Sequence, residues 1–386
     1  MLHHIVQAIE IIAVTGTVAS VVYYGLCLYS AAAVLWGSKA AQSPQNTPPV
    51  SILKPLKGTD PEMYESFRSH CLQDYPEYEI VFGVSDPEDP AIELVRRLKL
   101  EFPQRAIRLV VCDKNLGSNT KVSNLVQMLP EARYQYLIVN DSDIRVERDY
   151  LQRVVPPLTD PKVGMVTCLY RGVASATLGS RLESLGISTD FCGGVLAARL
   201  LEGIRFGLGS TLAFRRGDLK AVGGFEGLLD YLADDYEIGN RIVSLGLEGR
   251  LSDVVVETFL PPYNTREFVA HQLRWARTVR DARRWGYVGL VWTFGLPWAV
   301  LVLLAANGAG WAWALLGGTA VMRLAMAVVV GRLLLEDRHV VPYLWLIPLR
   351  DAAAVMVWIA SFAGHTVAWR GDSFTLKNGR LIRITP

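Results

Sequence analysis

Long stretches without charged residues lie at both ends of this 386-residue chain, and shorter apolar runs fill its middle. Residues 11–38 carry no charge, and this stretch exceeds the about 20 apolar residues that a helix needs to cross a bilayer. A second uncharged stretch, residues 285–322, is broken by a polar turn at 307–310. It predicts a hairpin of two spans, over residues 288–306 and 311–331. Arg323 lies inside the second span, where a charged side chain is costly and faces a partner or water.

The first apolar stretch predicts an amino-terminal transmembrane anchor over residues 1–38. A cleaved signal peptide is the alternative, but residues 1–10 contain no Lys or Arg, and the apolar stretch is longer than the hydrophobic region of a signal peptide, which has about 7–15 residues. Residues 39–49 are polar and proline-rich, which predicts a linker. Lys39, Lys54 and Lys57 follow the anchor, so the positive-inside rule places the next domain in the cytoplasm.

Between residues 50 and 262, short apolar runs alternate with helical patterns. The predicted strands cover residues 50–53, 79–84, 108–111, 136–139 and 163–167, and the predicted helices cover residues 61–73, 90–101, 121–128 and 148–155. Such alternation is typical of βαβ units. We therefore predict an α/β domain over residues 50–262, with a mostly parallel sheet and helices on both of its faces.

Residues 263–286 predict a basic amphipathic helix that lies on the membrane surface. Its arginines are interleaved with apolar and aromatic residues, a pattern typical of helices on anionic membranes, although a solvated charged helix is the alternative. These arginines are Arg266, Arg274, Arg277, Arg280, Arg283 and Arg284.

Residues 287–369 are predicted to hold the carboxy-terminal transmembrane helices. Their last part, residues 340–369, is interrupted by prolines and charges and predicts either a third span or a re-entrant segment. Three crossings would place the basic tail, residues 370–386, outside the cytoplasm, against the positive-inside rule.

Composition and charge exclude several classes of protein. Hydrophobic residues make up 51% of the chain, which agrees with a membrane-anchored protein, and the formal net charge of +2 gives no argument for a nucleic-acid partner. The five cysteines are scattered without a Cys-x-x-Cys pair, which fits a reduced compartment rather than a disulfide framework or a zinc site.

The candidate chemistry begins at the end of the predicted strand 136–139. Asp141 and Asp143 follow this buried strand directly. Ligands of open α/β sheets bind beyond the carboxyl ends of the strands. Mg²⁺ and Mn²⁺ are commonly held by one or two carboxylates together with substrate phosphates. The pair therefore predicts a divalent-metal site, although Asp and Ser are also ordinary turn residues.

Four further residues lie where a ligand of that site would be held. Asp86 ends the strand 79–84, where it would reach a ribose or a base edge, and Lys121 follows a polar loop, where it would meet a diphosphate as a point charge. Asp234 and Asp235 begin a helix, where plain capping is the alternative because the helix dipole favours negative charge.

Taken in order, these motifs resemble inverting glycosyltransferases with the GT-A fold, and most closely the ceramide glucosyltransferase family, glycosyltransferase family 21. The resemblance covers roughly residues 50–285. Its motifs are residues 52–58 (ILKPLKG), 74–79 (DYPEYE), 84–86 (VSD), 89–91 (DPA), 140–146 (NDSDIRV) and 233–236 (ADDY), and the pair Arg274 and Trp275.

The resemblance implies a role for most of the candidate residues. Asp86 would contact uridine, Asp141 and Asp143 would hold the metal, and Asp235 would be the catalytic base. Arg274 and Trp275 would close over the diphosphate and the acceptor.

The chain departs from the family pattern at two positions. His271 stands where the family's last motif usually begins with Gln or Arg, and Asp143 adds a carboxylate that ceramide enzymes often lack. The second departure keeps a hopanoid open as an acceptor beside ceramide.

The predicted function is the transfer of glucose or N-acetylglucosamine from a UDP-sugar to a lipid hydroxyl, with inversion at the sugar. The enzyme would be an integral protein of a bacterial inner membrane with its catalytic domain in the cytoplasm. A membrane-bound Mg²⁺-dependent phosphohydrolase and a UDP-binding scaffold without catalysis are the alternatives, although neither requires the complete set of motifs.

Overall fold

In the computed structural model, which describes residues 1–37, 46–369 and 372–384, the chain folds into two units. The sheet unit comprises Ala40–Val173, Glu202–Pro261 and Trp369–Pro386. The helical unit comprises Met1–Lys39, Ala174–Leu201 and Pro262–Ala368. Most of the linker predicted over residues 39–49 lies outside the described residues, and so do Lys39 and Arg370.

The sheet unit is built on eight strands in the order β3-β2-β1-β4-β7-β6-β8-β5. The strands are β1 (Val50–Leu56), β2 (Tyr78–Val84), β3 (Ala106–Val111), β4 (Tyr136–Val139), β5 (Ile144–Arg145), β6 (Val163–Val173), β7 (Leu212–Arg215) and β8 (Glu248–Phe259). β1 to β4 are parallel, and β6 and β8 are also parallel, whereas β7 runs antiparallel to both of its neighbours and β5 antiparallel to β8. Every residue of β1 and β2 is buried, as continuous apolar runs in a parallel sheet require.

Helices connect these strands, as predicted. Helices are numbered through both units, and those of the sheet unit are α2 (Met63–Cys71), α3 (Ala91–Glu101), α4 (Thr120–Met128), α5 (Tyr150–Val154), α8 (Arg216–Ala221) and α9 (Asp234–Ser244). In α3 the buried residues Ala91, Ile92, Val95 and Leu98 recur at helical spacing, so one face of the helix joins the core. The predicted α/β class with a mostly parallel sheet is confirmed.

The predicted domain 50–262 requires a correction. Residues 174–201 lie in the helical unit, where they form α6 (Leu178–Leu185), a π-helical turn (Gly186–Phe191) and most of α7 (Cys192–Glu202). Leu182 and Leu185 of α6 share a buried cluster with Phe268 and Leu346. These apolar contacts join segments far apart in the chain, so the local hydrophobic pattern does not reveal them.

The carboxy-terminal tail folds onto the sheet unit. Its strands β10 (Asp372–Lys377) and β11 (Arg380–Arg383) form an antiparallel hairpin. The backbone N–H of Leu381 donates to the carbonyl of Asp230 over 2.6 Å, and that of Leu232 donates to Gly379 over 3.2 Å. The hairpin is therefore joined to the segment just before α9.

The helical unit contains the long apolar helices. They are α1 (Leu2–Gly37), α10 (Thr265–Ala282), α11 (Arg284–Gly289), α12 (Gly295–Ala305), α13 (Gly310–Ala327) with a π-helical continuation (Val328–Leu334), and α14 (Ile347–Ser361), followed by strand β9 (Thr366–Trp369). α12 and α13 pack against α1, whereas α14 packs mainly against α10 and also against α12 and α6.

Three helical stretches in the described part of the chain are long and apolar enough to cross a membrane: His3–Gly37, Gly310–Leu334 and Val341–Ser361. A fourth is possible if Arg284–Thr293 and Gly295–Ala305, which are bent by 54°, form one span. Candidate membrane helices thus lie at both ends, as the hydrophobic pattern predicts.

Two arginines of the predicted surface helix have partners within the helical unit. The Arg280 guanidinium is buried and donates to the carbonyl oxygens of Ser361 and Gly364, the second over 3.0 Å. Arg277 donates to the carbonyl oxygens of Ala363, over 2.7 Å, and Thr366. The last carbonyls of a helix have no intrahelical partner. These two arginines therefore cap the end of α14 instead of facing lipid headgroups.

We expect Arg280→Met to destabilise the helical unit, because it removes the side-chain donor to the carbonyl group of the buried Ser361. Such a loss costs about 1–3 kcal/mol and should lower the melting temperature in detergent. Arg284→Met is the matched control, since Arg284 is exposed and contacts the face of Trp285 at 5.7 Å. Its effect should stay within about 0.5 kcal/mol. Equal melting temperatures for both variants and the unmodified protein would contradict the capping role.

Candidate active site

The carboxyl ends of three parallel strands form one edge of the sheet. β1 lies between β2 and β4, and Asp86 follows the end of β2 while Asp141 and Asp143 follow the end of β4. Strand ends of parallel neighbours share an edge, so these carboxylates lie on the same side of the sheet. Asp86 is exposed, and its Oδ1 accepts a hydrogen bond from the backbone N–H of Glu88 at 2.9 Å.

Lys121 brings carboxylates of two elements together. Its Nζ lies 2.8 Å from Oδ1 of Asp141, after β4, and 3.1 Å from Oδ2 of Asp234, at the start of α9. Burial alone would lower the pKa of Lys121, but the charges of Asp141, Asp234 and Asp235 outweigh it and hold that pKa above its ordinary value. Lys121 therefore remains a cation at the centre of the acidic edge.

The beginning of α4 fixes the position of Lys121. Asn119 caps this helix by accepting the N–H of Val122 at 3.1 Å, and its side-chain amide donates to the carbonyl of Tyr231 over 2.7 Å. The loop before α4 is thereby joined to the segment that leads into Asp234.

Lys54 is a second basic residue beside the acidic edge. Its position in the sequence predicted no role in the site. It is fully buried in β1, and its Nζ donates to the carbonyl of Asp141 over 2.9 Å. Burial lowers the pKa of Lys54 to about 7, although Asp143 and Asp141 oppose this shift. A lysine within the mostly apolar sequence of β1 is a weak local sign of a buried charge, but the sequence does not reveal its partner.

Asp143 and the residue before it are tied to neighbouring segments. The Thr258 hydroxyl donates to Oδ2 of Asp143, and the Ser142 hydroxyl donates to Oδ2 of Asp60 at 2.5 Å. Burial, followed by repulsion from Asp141, raises the pKa of Asp143 to about 6. Asp143 therefore binds a proton more readily than a free carboxylate would.

Asp235 lies next to Asp141 across a glycine. A methyl group at Gly209 would lie 2.6 Å from Oδ2 of Asp141 and 3.3 Å from Oδ2 of Asp235, so only glycine leaves both carboxylates in place. Burial and the neighbouring Asp234 raise the pKa of Asp235 above its ordinary value, against the opposing charge of Lys121. Such a carboxylate is suited to accept a proton.

The remaining predicted residues, His271, Arg274 and Trp275, belong to α10 of the helical unit. The His271 ring stacks on Tyr263 at 5.3 Å and lies 5.4 Å from the ring of Trp275. Nδ1 of His271 lies 3.3 Å from the buried carboxylate of Glu183 in α6. The structure thus groups the Arg-Trp motif with a buried acid that the sequence analysis did not single out.

The carboxylates of the acidic edge could hold a divalent cation whose remaining ligands come from a bound substrate. No three His, Cys, Asp or Glu side chains in the described residues form a metal cluster by themselves. Asp141 and Asp143 lie two residues apart in the loop after β4, and Oδ2 of Asp141 faces the backbone of Gly209. One or two carboxylates plus substrate phosphates are a common donor set for Mg²⁺.

Comparison with known proteins places this site in context. Residues 12–382 match the family described as glycosyl transferase family 21. Ceramide glucosyltransferase 1 of Caenorhabditis elegans is 24% identical over 363 residues, which cover 88% of this chain and 74% of that protein. Ceramide glucosyltransferase 3 of the same organism is 24% identical over 231 residues, which cover 60% of this chain and 50% of that protein.

A solved structure supports the fold. The mannosyltransferase PcManGT from Pyrobaculum calidifontis, in complex with GDP-Man and Mn²⁺, superimposes with a TM-score of 0.57 at 22% identity. The match covers 92% of this chain and 99% of that protein. This likeness confirms the predicted GT-A fold.

We expect Gly209→Ala to impair catalysis, because the added methyl group would displace the carboxylate of Asp141 and crowd that of Asp235. Displacement of catalytic groups by about 1 Å costs on the order of 10²-fold in rate. Gly217→Ala is the matched control, since no atom lies within 4 Å of its added methyl group. Turnover of donor, measured in detergent, should fall about 10²-fold for the first variant and remain unchanged for the second. Full activity of Gly209→Ala would show that the two carboxylates need not keep this spacing.

Proposed function

Because the chain belongs to glycosyltransferase family 21, we propose that it transfers a hexose from a UDP-sugar to the hydroxyl of a lipid, with inversion at the sugar. The hexose is glucose or N-acetylglucosamine, and the proposed acceptor is ceramide, after the names of the curated relatives. The observation that carries the proposal is the grouping of Asp141, Asp234 and Asp235 around Lys121 at the ligand-binding edge of the sheet.

The proposed reaction is a single displacement. The acceptor oxygen bonds to the anomeric carbon, the bond from that carbon to the diphosphate oxygen breaks, and UDP departs. Asp235 receives the hydroxyl proton, which suits its raised pKa. With one base and no enzyme nucleophile, the anomeric centre inverts, as in inverting glycosidases where water takes the acceptor's place.

The charge of the departing UDP requires cations. Lys121 lies beside Asp141 and would meet the diphosphate, and Asp86 would contact the uridine. A divalent cation held by Asp141 and Asp143 would neutralise part of the charge on the leaving group. Arg274 and Trp275 are proposed to act over the diphosphate and the acceptor.

The tail gives an argument for the topology. Its hairpin pairs with residues 230–232, so the tail lies on the same side of a membrane as the sheet unit. The chain between them must therefore cross the membrane an even number of times. We assign the two crossings to the segment ending in α12 and to α13, which pack against α1. α14 would remain at the interface, because it packs mainly against α10 and carries Arg350 and Asp351.

We expect new glycolipids in cells that express the protein, detected by mass spectrometry of extracted lipids, with a mass increase of one hexose or N-acetylhexosamine. Asp235→Asn should lower their formation by about 10²–10⁴-fold, because it removes the base. Asp234→Asn is the matched control and should do less. A larger loss for Asp234→Asn would contradict the assignment of the base, and unchanged lipids in all cells would contradict lipid transfer.

We expect UDP to bind more weakly without a divalent cation. Isothermal titration should give at least a tenfold weaker affinity in EDTA than in Mg²⁺, and Asp143→Ala should remove this difference. Asp160→Ala serves as the control, because Asp160 pairs with Arg250 on the protein surface. Equal UDP affinity of the unmodified protein with and without EDTA would count against the metal site.

We expect the linker and the tail to be cytoplasmic and the loop between α12 and α13 to be on the opposite side. The five native cysteines are buried, so single cysteines can be introduced and labelled in intact cells with an impermeant reagent. Ala309→Cys should react, whereas Ser43→Cys and Lys377→Cys should react only after permeabilisation. Labelling of the linker or tail in intact cells would overturn this topology.

A further inference from the structure

The helical unit contains a buried polar network that the proposed donor chemistry does not use. Its members lie on α6, the following π-helical turn, α10, α13 and α14. They are Glu183, Asp190, His271, Gln272, Arg323, Arg350 and Asp351. Glu183, Arg323, Arg350 and Asp351 are each more than nine-tenths buried. Burying charged groups costs free energy, and buried charges inside membrane helices usually have a function.

The network is continuous from one end to the other. Nε2 of Gln272 donates to Oε2 of Glu183 over 2.7 Å, and Oε1 of Gln272 accepts from Nη2 of Arg350 at 3.1 Å. The same Nη2 lies 3.5 Å from Oδ2 of Asp190.

Arg323 closes the far end of the network. It pairs with Asp351 through two hydrogen bonds of 2.8 Å and 3.1 Å, and it also donates to Asp190. Both oxygens of Asp351 are thus occupied by Arg323, and most of the network atoms without a hydrogen-bond partner lie on Glu183, His271 and Arg350.

Six buried polar atoms of the network have no hydrogen-bond partner among the described residues. They are Oε1 of Glu183, Oδ2 of Asp190, Nδ1 of His271, Nη1 of Arg323, and Nε and Nη1 of Arg350. Oε1 of Glu183 and Nδ1 of His271 lie 3.3 Å apart, and Oδ2 of Asp190 lies 3.5 Å from Nη2 of Arg350, but neither pair forms a hydrogen bond. Buried polar atoms normally make hydrogen bonds, so atoms that make none are available to a ligand. Both donors and acceptors are among them, and they would match a ligand that also carries both.

The charge of the network indicates the charge of the ligand that it would bind. Three carboxylates face two guanidinium groups, so no excess of positive charge attracts a phosphate. Asp190 and His271 form the partly exposed rim, with side chains 30% and 19% exposed. Trp275 of the Arg-Trp motif stands beside this rim, with its ring 5.4 Å from His271 and 6.0 Å from Phe191.

Gly186 keeps Arg350 close to the helix that carries Glu183. A methyl group at Gly186 would lie 2.4 Å from Nε of Arg350, so the guanidinium lies directly against the π-helical turn. This turn separates Glu183 from Asp190, and π-helical turns are frequent at functional sites.

We propose that this network binds the polar head of a neutral lipid acceptor that carries hydroxyl and amide groups, with Glu183 accepting from the head and Arg350 donating to it. The proposal rests on the proposed function and adds the place where the acceptor is held. The buried end formed by Arg323 and Asp351 anchors the network, and the rim beside Trp275 admits the reacting hydroxyl.

The first test measures the KM of Glu183→Gln for N-octanoylsphingosine and for the sugar donor. The substitution keeps the shape but removes the charged acceptor, so KM for the lipid should rise at least tenfold while KM for the donor stays within twofold. Asp337→Asn is the matched control, because Asp337 is equally buried in the same unit but both of its oxygens accept protein donors, from Ser188 at 2.6 Å and from the backbone of His339 at 2.8 Å. It should leave the ratio of the two KM values unchanged.

The second test uses the unmodified protein, so it does not depend on how a variant folds. A ceramide with a photoreactive diazirine next to its amide is irradiated with the protein in detergent. Labelled peptides should come from residues 178–191, 265–282 or 347–361, and labelling confined to other peptides would overturn the proposal. Unchanged lipid KM in a folded Glu183→Gln variant would overturn it as well.

Different results would contradict the proposed function and the proposed acceptor site. If the unmodified protein transfers sugar to no lipid, the proposed function fails. If it transfers sugar to ceramide while Glu183→Gln keeps both KM values and the photolabel misses these peptides, only the acceptor site fails. The network would then serve to hold the helices of this unit together.

Discussion

The ligand-binding edge of the sheet depends on a cation that offsets the mutual repulsion of its carboxylates. Asp141, Asp234 and Asp235 come from two elements and lie around one ammonium group, that of Lys121. Without a cation at this point, the repulsion between these carboxylates would not be compensated. The cap at Asn119, the glycine at position 209 and the buried Lys54 all serve to keep this arrangement in place.

The strands that carry this edge were predictable because their residues are buried on both faces. β4 was predicted at its observed bounds, and the carboxylates after it follow from the rule that ligands meet parallel sheets at strand ends. The helix beginning at Asp234 was also predictable, because its acidic first turn complements the helix dipole. These signals are local, and the sequence shows them directly.

Other features depend on contacts between distant segments and were not predictable. Lys54 was interpreted only as a charge after the membrane anchor, yet it lies buried under Asp141, a residue 87 positions away. Residues 174–201 were placed with the catalytic domain, but their apolar face packs in the helical unit. The arginines of α10 were expected to face lipid, and two of them instead satisfy carbonyl groups after α14. In each case the partner, not the local pattern, decides the role.

Inversion at the sugar is the most specific consequence of one base acting without a nucleophile, and the product's anomeric configuration tests it directly. Purified protein is incubated with UDP-glucose, whose anomeric bond is α, and with N-octanoylsphingosine, and the glycolipid is analysed by proton NMR. We expect a β-linked glucosylceramide as the sole product. An α-linked product would require retention through a second displacement, and it would contradict the role proposed for Asp235.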